Sequence, residues 1–389
     1  MKRRVLAVTG SRAEYGAMRP VFRAIASSPA LALDMLVTGM HLAPQFRASL
    51  AEIEADDFSS RHVVDVRAAD GSGLEMARAL GEGVQRMAEV VARTAPDVVL
   101  VQGDRGEMLA AAMAAAHLNV PVVHMSGGDH TGSIDDAIRN AITAFAHVHL
   151  TTCAQSSQRL LAMGEAAGRV FEVGEPALDV ILALEPMPSD ALAAELRMDL
   201  HRPFALATQH PVTTEADAGA SQITETLEAL AQLRLPTVFT YPNTDAGCEA
   251  MTAVLESWRG RDFLRVVPHL GSQRYLSLMR VAAVLVGNSS SGIIEASSFR
   301  LPVVNIGTRQ HRRTRAANVI DAAYDRVAIR AAIERALGDS AFRAGLALCR
   351  NPYGDGTCAA RTADILARLR ITPTLTAKWL DRGEPVIDG

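Results

Sequence analysis

The sequence predicts an α/β protein built as two Rossmann-like domains facing a central cleft, and three observations carry that prediction. Short apolar runs rich in β-branched residues recur along the chain, as buried parallel strands do. Most of these runs end in glycine followed by polar or charged residues, and the carboxyl ends of strands are where open α/β sheets bind ligands. The 389 residues are 49% apolar, which is ample for two cores.

Composition removes several function classes. The formal net charge is −4 with no basic block, so nucleic acid is not an expected partner. No apolar run approaches the roughly 20 residues of a membrane span. The basic start MKRR leads into an apolar stretch too short for a signal peptide before Gly10. A cytoplasmic protein with no membrane partner is expected. Cys153, Cys248, Cys349 and Cys358 have no paired spacing for zinc or disulfides. Lysine occurs only at Lys2 and Lys378, which disfavours Schiff-base chemistry and a P-loop. Carboxylates with His41, His124, His130 or His210 could in principle bind a metal but lack HExxH-type spacing, and neither a metal nor a cofactor is expected.

In chain order, Val5–Thr9 reads as the first strand, and Gly10-Ser-Arg-Ala-Glu-Tyr-Gly16 as the turn into a helix. Arg12 at that helix N-terminus suits an anion, because free N–H groups and the dipole both favour negative charge. The turn lacks GxGxxG, and no Tyr-x-x-x-Lys follows, so a nicotinamide enzyme is disfavoured. Leu33–Val37 is a second strand ending in Thr38-Gly39-Met40-His41, and Gly73–Thr94 is a long helix.

The stretch from Pro96 to Leu150 is the densest in chemistry. Strands Val98–Val101 and Val120–Met125 end in Gly103-Asp104-Arg105 and Gly127-Gly128-Asp129-His130. Asp104, Asp129, Asp135 and Asp136 are expected to converge with Arg105 on one crevice. Each acid alone reads equally as a helix cap or first-turn residue. Four together are hard to place in a core, since unpaired buried charges are costly. His147 and His149, alternating with Val148 and Leu150, read as hydrogen-bonded core residues. Val170–Val173 is a further strand, and Glu185–Asp190 is the expected linker.

A second series begins at Phe204–Thr208, followed by Gln209-His210-Pro-Val-Thr-Thr-Glu215. Its later strands are Thr237–Thr240, Leu264–Val267, Ala283–Val286 and Val303–Ile306. The turn Gly287-Asn288-Ser289-Ser290-Ser291-Gly292 leads into an apolar helix carrying Glu295 and suits a diphosphate at a helix N-terminus. It reads equally as a serine-capped helix. An arginine-rich loop, Gly307–Arg313, follows the next strand. With acids on the first domain and phosphate-suited groups on the second, the expected ligand has a sugar-like end and a diphosphate tail.

The matching stretches TGSRAEYG (9–16), GDRGEM (103–108), GGDHTGSIDDAIRNAIT (127–143), HPVTTE (210–215), TYPNTDAG (240–247), VGNSSSGIIE (286–295), NIGTRQ (305–310) and NPYGDGT (351–357) run across the chain in one order. In these the sequence resembles the hydrolysing UDP-N-acetylglucosamine 2-epimerases of sialic acid biosynthesis and their relatives acting on diacetylbacillosamine nucleotides. The resemblance implies a glycosyltransferase-B-like fold with domains at 1–176 and 177–365, and 366–389 packing back on the first. It implies Asp104, Asp129, Asp135 and His210 as catalytic residues. Arg12, Arg105, Ser289, Ser290 and Arg309 would meet the nucleotide diphosphate, Glu295 the ribose and His41 the sugar, with Gly292 also among the nucleotide- or substrate-binding residues. Asn243, in the Tyr241-Pro-Asn243 turn, resembles the hydrolysing branch.

The implied reaction converts UDP-N-acetylglucosamine to free N-acetylmannosamine and UDP by elimination and water addition. A diacetylbacillosamine nucleotide (UDP or GDP) is the alternative substrate, and a homo-oligomer, dimer or tetramer, the expected assembly. A non-hydrolysing epimerase, a glycosyltransferase and an inactive nucleotide-sugar sensor are the rival readings. Three positions depart from the family pattern: Asp129 where glutamate is usual, Asn140 where histidine follows the arginine, and Arg312 where the arginine loop has glycine.

Overall fold

The computed structural model describes residues 2–43, 47–58, 60–66, 72–130, 134–243, 245, 247–378 and 386–387. The chain forms two compact units, Met1–Val180 with Tyr353–Gly389, and Ile181–Pro352. The chain re-enters the first unit at Tyr353, ahead of the 366 anticipated from the sequence. The expected linker Glu185–Asp190 is not a free connector. Its Met187 N–H donates to Ser277 Oγ at 2.9 Å, and the Glu185 carbonyl accepts from Gln273, so it packs on the second unit.

Unit 1 is a seven-stranded parallel sheet: β1 Arg3–Thr9, β2 Leu31–Thr38, β3 Ser60–Val64, β4 Val98–Gln102, β5 Val122–Met125, β6 Val148–Thr151 and β7 Val170–Glu172. Its order is β3-β2-β1-β4-β5-β6-β7. Alternation along the strands sorts side chains to two faces. Val5, Ala7, Val98 and Leu100 pack with Tyr15, Met18 and Phe22 of helix Arg12–Ser27 and with Ile365 and Leu366 of helix Cys358–Arg368. Leu6, Val8, Val99 and Val101 pack against helices Gly73–Thr94 and Gly106–His117. The alanines of the latter helix suit close approach, since its Ala110, Ala111, Ala114 and Ala115 are all buried.

The C-terminal segment is fastened by polar groups. The Asp179 carboxylate caps the helix Cys358–Arg368, accepting from the Cys358 and Ala359 N–H groups at 3.0 and 2.9 Å. Lys378 donates to the Thr143 and Ala144 carbonyls at the end of helix Ile134–Phe145 and to Glu165, which in turn meets His149 Nε2 at 3.0 Å. His149 is buried within β6, and His147 Nδ1 accepts from Val122 N–H, so both are hydrogen-bonded core residues as expected.

Unit 2 is a six-stranded parallel sheet: β8 Ala205–Thr208, β9 Thr237–Thr240, β10 Leu264–Val267, β11 Val284–Gly287, β12 Val303–Ile306 and β13 Val319–Ala322. Its order, β10-β9-β8-β11-β12-β13, repeats the winding of unit 1. Sequence patterning missed β3 and β13, both edge strands with mixed polar character that lack a continuous apolar run. Among the described residues no helix is long and apolar enough to cross a membrane.

In each sheet the winding reverses between two neighbours, β1 and β4 in unit 1 and β8 and β11 in unit 2, which creates the topological switch points where such sheets bind ligands. At the second of these Gly287 has φ +131°, and a Cβ there would lie 1.9 Å from the Thr208 carbonyl oxygen. Only glycine tolerates both the backbone and the contact. Gly287→Ala is therefore expected to cost roughly 3 kcal/mol or more, read as a lowered midpoint in urea unfolding. A wild-type midpoint would show that the two strands can part without penalty.

Candidate functional site

In unit 1 the residues come from the strand ends around β1 and β4. Thr9 closes β1, and its hydroxyl meets His41 Nε2 at 3.0 Å, while His41 Nδ1 meets Ser49 Oγ at 2.7 Å. His41 is buried in the turn Gly39–Leu42, and burial, reinforced by Arg105, lowers its pKa to about 4. It is a neutral ring at physiological pH. Arg12 is exposed on the first turn of its helix, and Arg105 pairs with Glu107 at 3.0 Å.

Asp104 follows β4 and forms an ion pair with Arg139, which lies on the helix Ile134–Phe145 that carries Asp135 and Asp136 in its first turn. A second tie joins the same pieces. His124 Nε2 meets the Gly103 carbonyl at 2.8 Å, and its Nδ1 meets Thr143 Oγ1 at 3.2 Å. Burial pulls that ring down to about 3, so it too is neutral. Asp136 pairs with His130, and Asp135 is half-buried beside it. Asp129 has partners of its own, its Oδ1 accepting from Thr152 at 2.7 Å and Ser156 at 2.5 Å beyond β6. The structure thus brings Asp104 together with the helix of Asp135 and ties Asp129 to the β6 loop. Thr131–Ser133 of the same motif lies outside the described residues, as do Thr244 and Ala246. Asn140, one of the departures, is exposed.

In unit 2 the loops after β8, β9, β11 and β12 supply the groups. Asn288 makes a two-way clamp on His210, accepting its N–H at 2.7 Å and donating to its carbonyl at 2.8 Å. The Asn288 carbonyl accepts from Gln310 at 3.0 Å and Arg309 at 3.3 Å, which draws the arginine loop to the same place. His210 Nδ1 accepts from the Asn243 backbone N–H at 2.9 Å, and the Asn243 side chain bonds Asp245. Burial, then Arg309, lowers His210 to about 4, with Asp245 opposing.

The turn after β11 corrects one expectation. The helix assigned to it is a single turn, Ser291–Ile294, followed by a 3₁₀ turn Ala296–Phe299. Gly292 lies close beneath Val303 and Leu285, so a Cβ there would sit 2.9 Å from Val303 Cγ1. One turn supplies little dipole, and any anion binding must rest on the hydroxyls of Ser289 and Ser290 and on Arg309. Glu295 ends that turn, and burial raises it to about 7.

Two residues escaped the sequence reading. Tyr275, on helix Gly271–Val281, places a buried hydroxyl beside Thr208, Ser289 and Ser291 and facing Glu295. No local pattern marks it. Glu14 was visible in principle, because Ser11-x-x-Glu14 has capping-box spacing. Ser11 Oγ accepts from Glu14 N–H, and Glu14 Oε2 accepts from Gly10 N–H, both at 3.4 Å. The other oxygen, Oε1, has no exposed surface and no hydrogen-bond partner.

Burial raises Glu14 from an ordinary 4.5 to about 8, opposed by the Gly10 N–H and assisted by Glu107. A raised folded-state value means the stability tied to this proton is complete below 4.5 and is lost as pH climbs through 8. Glu14→Gln keeps the shape with no proton to lose. Relative to that variant, the wild-type melting temperature should fall by about 2–4 °C between pH 7 and pH 9. Parallel melting curves across that range would mean Glu14 is ionised throughout.

The chain matches the UDP-N-acetylglucosamine 2-epimerase family over residues 23–367. It is 37% identical over 366 residues to a hydrolysing UDP-N,N'-diacetylbacillosamine 2-epimerase of Legionella pneumophila, covering 94% of this chain and 96% of that one. It is 31% identical over 342 residues to a UDP-N-acetylglucosamine 2-epimerase of Neisseria meningitidis, covering 88% and 89%. Among solved structures, the Neisseria meningitidis UDP-GlcNAc 2-epimerase bound to UDP-GlcNAc superposes with a TM-score of 0.76 at 18% identity, over 92% of this chain and 98% of that one. That likeness establishes the glycosyltransferase-B-like fold class. By sequence over nearly its whole length, and by fold, the chain belongs to the UDP-N-acetylglucosamine 2-epimerase family.

Proposed function

We propose that this protein is a hydrolysing 2-epimerase that converts a UDP-linked 2-acetamido sugar to its free 2-epimer and UDP. UDP-N,N'-diacetylbacillosamine is the favoured substrate and UDP-N-acetylglucosamine the second. One observation carries the choice: 37% identity spanning nearly the full length of an enzyme named for the diacetamido sugar, against 31% for the N-acetylglucosamine enzyme. It reverses the order of substrates taken from the sequence. The expected product would serve sialic-acid-like sugar synthesis, and a cytoplasmic homo-oligomer belongs to the same reading.

In this reading the acids of unit 1 move protons at C2. A carboxylate takes the C2 proton, the C–H electrons form the C1–C2 double bond, and the C1–O bond breaks with its electrons on the diphosphate. Water then adds at C1 while a proton returns to C2 from the opposite face. Asp104, ion-paired with Arg139, and Asp135 on the same helix as that arginine are the assigned pair. Asp129, bonded to Thr152 and Ser156, would act at the edge of that pair. Arg12, Arg105, His210, Ser289, Ser290 and Arg309 would stabilise charge on the leaving diphosphate. Such donors supply more of the rate than the proton transfers do. Gly292 would let the backbone approach closely, and Glu295 would meet the ribose, His41 the sugar and Asn243 the His210 ring.

Asp104→Asn and Asp135→Asn should each lower kcat by about 10²–10⁴-fold with unchanged circular dichroism. Wild-type turnover in either would take that residue out of the mechanism. In D₂O, the reaction should release free sugar carrying deuterium at C2, together with UDP. NMR showing an intact, C2-deuterated pair of nucleotide sugars and no free sugar would identify a non-hydrolysing epimerase instead.

A further inference from the structure

We infer that the backbone amide of Asn243 fixes His210 as the tautomer protonated at Nε2, so that His210 acts as a hydrogen-bond donor to the leaving diphosphate and not as a base. This rests on the nucleotide reading above. A backbone N–H only donates, so the Nδ1 atom that receives it at 2.9 Å must present a lone pair. In a neutral imidazole the proton then resides on Nε2. A base at Nε2 would need a lone pair there, and this tautomer has none.

The ring has little freedom to choose otherwise. Asn288 holds the His210 backbone from both sides, through its N–H at 2.7 Å and its carbonyl at 2.8 Å. Asn288 is itself fully buried, and its carbonyl is tied by Gln310 and Arg309. The charged groups facing the ring are Arg309 from the loop after β12 and Asp245 from the loop after β9. Asp245 is engaged by the Asn243 side-chain amide. Burial and Arg309 together oppose a second cation at this point, and the ring stays neutral at physiological pH. Nε2–H and the Arg309 guanidinium are then two donors on loops that both bond Asn288, the arrangement that a developing phosphate anion requires. Asn243 is accordingly a positioning residue through its main chain, and its side chain is not needed for this effect.

The test uses the full-length protein labelled with ¹⁵N-histidine, with the His210 signals assigned by their loss in His210→Gln. Long-range ¹H–¹⁵N spectra should show Nδ1 unprotonated and Nε2 protonated from pH 8 to pH 5.5. The pattern should persist in Asn243→Ala, which keeps the backbone N–H. A proton on Nδ1, or titration of the ring within that range, would overturn the inference. Calorimetry with UDP supplies the second arm. His210→Phe should weaken UDP binding about tenfold or more, and His210→Gln, which restores an amide donor near the Nε2 position, should recover most of it. UDP binding by His210→Phe as tight as wild type would overturn the donor role. Failure of the wild type to bind UDP at all would overturn the nucleotide reading and the donor role with it, while an intact Nε2–H signal would leave the tautomer standing and locate the error in the ligand.

Discussion

A parallel sheet whose strand order reverses between two neighbours forces the connecting helices to leave on opposite faces. At that point no crossover covers the strand ends. This protein applies the constraint twice, between β1 and β4 and between β8 and β11. The placement of chemistry follows from it. Thr9, Gly10, Asp104 and Arg105 lie at the first reversal, and His210, Asn288 and Ser289 at the second. The tight approach of Gly287 to Thr208 is the local condition that lets the second pair of strands run side by side to their ends.

The electrostatics of these strand ends share one cause. Burial is the leading influence on His41, His124, His210, Glu14 and Glu295, and it moves histidines down and carboxyls up. All five groups are therefore biased toward their uncharged forms. The permanent positive charge is left to arginine, which holds its proton in any environment and can serve an anion with several donors at once. Arg139, paired with Asp104, and Arg309, bonded to the Asn288 carbonyl, show two uses of that property.

The acids of unit 1 also depend on residues far away in the chain. The helix bearing Asp135 and Arg139 ends at carbonyls that Lys378 caps, and Lys378 is held by Glu165. The segment carrying Lys378 is anchored in turn by Arg169 to the Leu375 and Thr374 carbonyls and follows a helix capped by Asp179. A buried cation at a helix C-terminus is favourable only where its charge is matched, and Glu165 provides that match.

Local periodicity was enough to locate the interior strands, since a strand buried on both faces must be a short continuous apolar run, as Val98–Gln102 and Val284–Gly287 are. It also located the loops rich in acid, serine and arginine, because those residues gather where such runs end. The edge strands Ser60–Val64 and Val319–Ala322 escaped because one side of an edge strand is wet and mixed residues suffice. The single-turn helix after Ser290 escaped because its length depends on Gly292 packing under Val303, a contact made only in the folded sheet. Partnerships were the least legible of all. Nothing near Asp129 announces Thr152 and Ser156, nothing near Asp104 announces Arg139, and nothing near Tyr275 points to Ser289. The sequence by itself determined which residue types stand at the strand ends, because that follows from local burial. Which of them pair, which carry a proton and which lone pair His210 presents was decided only by the tertiary structure, because hydrogen bonds and desolvation depend on neighbours that the chain brings together from far apart.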